Sequence, residues 1–104
     1  MSELRARLAG VREKLTTAID AVEKDTGASP VLLAVVREFD AKLSKAEAND
    51  ELGSNGAVRE GVVEAEQAAD SAKVAAEADP GVGEGARQAV LDAHYAICVL
   101  KAEI

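Results

Sequence analysis

Residues 3–30 read ELRARLAGVREKLTTAIDAVEKDTGASP, and their spacing decides the fold. The apolar positions Leu4, Leu8, Val11, Leu15, Ala18 and Val22 step by four, three, four, three, four. That stepping lays them along one face of a helix. A half-buried strand would alternate with period two, and the stretch has no such alternation. Its Ala, Leu, Glu, Lys and Arg content also favours helix over sheet. The spacing predicts a first helix over 3–26. Thr26-Gly27-Ala28-Ser29-Pro30 then ends it. Gly27 suits a left-handed C-terminal cap, Ser29 an N-cap, and Pro30 the first position of a new helix, where its missing N–H is not needed.

Residues 30–48 repeat the pattern through Leu32, Val35 or Val36, Phe39, Leu43 and Ala46. The apolar start, residues 31–36, predicts an end covered on more than one side. Residues 49–56 form a turn cluster with a cap at Gly53 and an N-cap at Ser54 or Asn55. A third helix follows over 55–78, with Val58, Val62, Ala65, Ala69, Ala72 and Ala76 on its seam. So many alanines permit an axis separation near the lower end of about 8–10 Å. They also hide little apolar surface each, which predicts the least firmly anchored of the helices. Residues 79–85 break the pattern, and a fourth helix spans 84–103 through Ala86, Val90, Ala93, Ile97, Leu100 and Ile104. Short connections force antiparallel neighbours. The expected fold is all-α, an antiparallel up-down-up-down four-helix bundle forming one domain over residues 1–104. Residues 1–52 and 53–104 share a seam pattern but no convincing residue-level repeat.

Composition removes several functional classes. The chain has 104 residues, a net charge of −7, and Phe39 and Tyr95 as its aromatic residues. Its longest apolar run, Val31 to Val36, is far short of the roughly 20 residues of a membrane span. Arg12, Glu13 and Lys14 interrupt any leader-like apolar stretch, so a cytoplasmic location is expected, with no membrane partner. One cysteine, Cys98, excludes an internal disulfide and a cysteine-rich zinc cluster. The acidic balance argues against direct nucleic-acid binding, which depends on clustered Lys and Arg.

Three surface features carry functional expectations. On a heptad wheel of the fourth helix, Leu91, Tyr95, Cys98, Val99 and Ala102 fall on the side away from the bundle, which is too apolar for a solvated face. These residues are the predicted interface of a homodimer. Charge divides unevenly, with net +1 over residues 1–46 and net −8 over residues 47–104. Glu60, Glu64, Glu66 and Asp70 make the third helix an acidic face, open to a basic protein partner or to a role as nucleic-acid mimic. The third feature is His94. A phosphotransfer role for it rests on fold analogy alone, and the favoured reading is a boundary histidine hydrogen-bonded to a nearby carboxylate.

Metal and catalytic sites are not expected. His94 and Cys98 form an i, i+4 pair, but two ligands with nothing else nearby in sequence make no metal site, and no Glu-x-x-His motif occurs. Cys98 lies near a helix C-terminus, the wrong end for a reactive thiolate. The glycine string at 81–85 lacks the strand and lysine of a phosphate loop and reads as a flexible turn. No set of residues matches a catalytic constellation or a cofactor fingerprint, so the expectation is a non-enzyme without cofactor. The sequence points to a small cytoplasmic interaction or assembly module that self-associates through its fourth helix.

Overall fold

A carboxylate rather than a glycine turns the chain out of the first helix. In the computed structural model, which describes residues 3–104, helix α1 spans Glu3–Lys24. Just beyond it, the Asp25 Oδ1 atom accepts the Gly27 N–H at 2.9 Å, closing a local turn two residues before the predicted end at 26. Gly27 is not left-handed, contrary to the expectation. Gly53, at φ 75°, is the positive-φ residue among the described residues. Ser29 does cap α2 (Pro30–Glu51): its side chain accepts the Leu32 N–H at 3.2 Å, and Pro30 opens the helix. This helix runs to Glu51, past the expected 48. It stops because Gly53 adopts the left-handed region. The N–H groups of Ser54 and Gly53 then reach back to the carbonyls of Asn49 and Asp50 at 3.1 and 3.0 Å. Helix α3 spans Asn55–Ala78 and α4 spans Glu84–Glu103, as expected, although the Ser54 side chain makes no capping bond.

The four helices form an up-down-up-down bundle in which α1 and α3 each pack against both α2 and α4. Its 41 Å length is close to that of its longest helix at 1.5 Å per residue. Phe39, Leu15, Leu32, Leu43 and Ile97 are the largest fully buried side chains. Helices α2 and α3 pair most closely, helped by the alanine seam and by Gly61. A Cβ on Gly61 would lie 3.0 Å from the Ala46 Cβ.

Burial reveals a repeat that residue identity hides. Every buried residue of α1 and α2, from Leu8 to Ala46, has a buried counterpart 54 positions later, from Val62 to Leu100. Leu15 answers to Ala69 and Phe39 to Ala93, so the register is kept while side-chain size is not. The two halves are therefore helical hairpins of the same pattern, which gives the shared seam a fixed 54-residue register without a residue-level repeat.

The loops at one end obey the same register. Asp25 accepts the N–H of Gly27 and, through Oδ2, that of Gly83 at 2.7 Å. Asp79, its counterpart, accepts the N–H of Gly81 at 2.9 Å and of Ser29 at 2.7 Å. Each carboxylate thus ties its own loop and the other one. Between them Gly27 and Gly81 meet backbone to backbone, and a Cβ on either would overlap the carbonyl oxygen of the other. The 79–85 segment is tied at several points rather than loose. Asp79 is buried, 7% exposed, and the donated N–H groups of Ser29 and Gly81 hold its carboxyl below the usual aspartate range.

Candidate functional site

Helix α4 divides its apolar outer residues between two directions. Tyr95 is 71% exposed, Val99 is 38% exposed and Ala102 is exposed, so these three follow the outermost stripe. Leu91 and Cys98 are half-buried, and Cys98 faces α3 through its contact with Glu66. Beside the stripe, a groove of about 280 Å³ between α4 and α1 is lined by Val11, Ala96 and Leu100 together with Tyr95 and Val99. The Arg7–Glu103 ion pair stands at its polar edge.

The acidic residues of α3 also separate. Glu60 is exposed and Glu64 half-buried. Glu64 turns toward α2, where it accepts from Lys42 at 3.2 Å and lies 3.7 Å from Lys45. The hydrogen bond from Lys42 lowers its pKa. Glu66 and Asp70 turn the other way, toward α4.

There they meet His94 and Cys98. His94 Nε2 lies 2.7 Å from Asp70 Oδ1, the boundary-histidine arrangement expected of it. Cys98 Sγ lies 3.5 Å from the same ring nitrogen and 3.8 Å from Glu66 Oε2. Lys101 donates to the other oxygen of Glu66, Oε1, at 3.3 Å. The side chains of His94 and Glu66 are 18% and 17% exposed, whereas Asp70 opens to solvent. Burial, reinforced by the negative charges of Glu66 and Asp70, pushes the Cys98 thiol up, which keeps it protonated at neutral pH. Asp70, His94 and Cys98 each offer a metal-ligating atom, all within 4.8 Å of one another. His94 and Cys98 have no further ligand beside them in sequence, but the fold brings two carboxylates to them. Their companions come from α3, and the signal that could have found them is a second i, i+4 pair, Glu66 and Asp70, on the neighbouring helix.

The first hairpin holds the equivalent position differently. Moving back 54 residues converts Glu66, His94, Cys98 and Lys101 into Arg12, Asp40, Ser44 and Glu47. Arg12 donates to Glu47 through Nε at 3.2 Å and Nη2 at 2.8 Å, to Ser44 Oγ at 3.0 Å, and to Asp40. Its hydrogen bond with Glu47 is the leading reason that its pKa rises further above the ordinary arginine value. One cross-helix position thus holds a cation among oxygens, and its counterpart holds a carboxylate beside an imidazole, a thiol and an ammonium.

No protein-family model, curated protein or solved structure matches the chain. Among the described residues, no helix is long and apolar enough to cross a membrane.

Proposed function

We propose that this four-helix bundle is a small cytoplasmic interaction or assembly module that pairs with a second copy of itself through the outer stripe of α4. The observation that carries the reading is the exposure of Tyr95, 71%, beside Val99 and an apolar groove. A large ring held out next to apolar walls is the composition of an interface centre rather than of a solvated helix face. The other well-exposed large apolar residues, Val31, Leu52 and Val74, lie on other helices or in a loop. In a two-fold pair, Tyr95 of each copy would rest on Val99 and the groove of the other, so one residue contributes twice.

A basic protein partner has less support, because Glu64, Glu66 and Asp70 already face Lys42, Lys101 and His94 within the chain. Sedimentation equilibrium tests the self-association. A dimer at micromolar concentration that becomes a monomer in Tyr95→Glu or Val99→Glu is the expected result. A wild-type monomer, or a dimer indifferent to both substitutions, would remove the proposal.

A further inference from the structure

We propose that Glu66, Asp70, His94 and Cys98 form a binding site for a divalent ion of the zinc class. Four donors of the types that zinc takes stand on two adjacent antiparallel helices, as the i, i+4 pair Glu66 and Asp70 on α3 and the i, i+4 pair His94 and Cys98 on α4. The mixture of one sulfur, one imidazole nitrogen and two carboxylate oxygens selects a borderline-soft ion over magnesium or calcium, which prefer oxygen alone.

The ligand atoms of Asp70, His94 and Cys98, all within 4.8 Å of one another, suit such an ion, and Glu66, which touches Cys98 but stands outside that set, turns inward to complete it. Bonds of about 2.0–2.3 Å in a tetrahedron leave ligand atoms roughly 3.3–3.8 Å apart. Cys98 Sγ stands 3.5 Å from His94 Nε2 and 3.8 Å from Glu66 Oε2. The 2.7 Å contact of His94 with Asp70 has only to open by roughly half an ångström as the ion takes the place of the proton between them. His94 then binds through Nε2 with its proton on Nδ1, and Cys98 releases its thiol proton to solvent. A thiolate and two carboxylates bring three negative charges, which the two charges of the ion and the ammonium of Lys101 offset. Lys101 holds Glu66 through Oε1, 3.3 Å away, and leaves Oε2 on the Cys98 side. Asp70 lies at the solvent edge, where an ion can enter. The first hairpin shows the same cross-helix position organised around a cation, the guanidinium of Arg12.

Cobalt(II), added to the reduced full-length chain, is the probe. The expected result is one equivalent bound, with the intense visible bands of tetrahedral cobalt and a thiolate-to-cobalt charge-transfer band, all abolished by added zinc. Cys98→Ser should lose the charge-transfer band, and His94→Ala, Asp70→Asn and Glu66→Gln should each weaken binding by at least about tenfold, the loss that even an outer partner of a metal ligand can cause. Circular dichroism of these variants confirms that the helices remain. Tyr95→Glu should bind cobalt as the wild type does. A saturated solution without a charge-transfer band, or affinity unchanged in His94→Ala and Cys98→Ser, overturns the site. Loss of binding in folded Tyr95→Glu also overturns it, because the ion would then bridge two copies.

Discussion

Asp79 shows how much one side chain can organise when its partners are far away in sequence. Its two oxygens tie Gly81 in its own loop and Ser29 in the other, fifty residues back. Both N–H donors favour the ionised form, so the folded carboxyl titrates below its unfolded value. Such a group adds stability above the unfolded pKa, and that contribution is lost as pH falls through the lowered folded value. Asp79→Asn should therefore lower the melting temperature at pH 7. It should also flatten the acid limb of a thermal-melt series between about pH 5 and pH 2, relative to wild type. Equal slopes in the two proteins would show that Asp79 does not supply the acid sensitivity. None of this was legible in the sequence, since a turn signal identifies a loop but not which other loop it meets. Gly27 shows the same limit. A glycine at a helix end suggests a left-handed cap, whereas here its missing Cβ makes room for the backbone of Gly81.

At the scale of elements, the sequence was far more informative. Four-three stepping depends only on which side chains are apolar, so every seam residue from Leu8 to Leu100 is buried as the spacing requires. The caps at Ser29 and Gly53 followed because their chemistry is local, whereas the first helix ended early where the Asp25 side chain intervened and the second ran three residues past the expected 48 to reach its glycine stop. The close pairing of α2 and α3 yields a contrast between two glycines. Gly10 lies on an exposed part of α1, and a Cβ added there would have nothing within 4 Å, so Gly10→Ala should stabilise by about 0.5–1 kcal/mol through helix propensity. Gly61 offers the same propensity gain. A Cβ there, however, lies 3.0–3.3 Å from the Ala46 side chain and backbone, so Gly61→Ala should cost about 1 kcal/mol or more instead. Urea denaturation of the two variants reads both signs. The cross-helix cluster of Glu66, Asp70, His94 and Cys98 sits between these cases. Each i, i+4 pair was readable on its own helix, but bringing the pairs together required the register of α3 against α4.

Across the whole molecule, the repeat is conserved in burial and lost in composition. Arg12 and Glu66 occupy matching positions with opposite charge, and Leu15 and Ala69 match with very different volume. A register constrains which positions face inward, but neighbouring volumes can compensate for one another, so comparison of residues alone does not find it. The matching loops carry a further consequence. Each hairpin presents to the other a surface of the same pattern, and the two are joined by the short Leu52–Ser54 link. Deleting Gly53 and Ser54 should remove the left-handed stop, run α2 into α3 as one long rod, and separate the hairpins of a single chain. Each hairpin would then find its complement in another molecule, giving a domain-swapped dimer of unchanged helicity that forms even with Tyr95→Glu. Sedimentation with circular dichroism checks this, and a helical monomer would contradict it. The tight turn at Gly53 is in that sense the feature that keeps an exchangeable pair of halves within one chain.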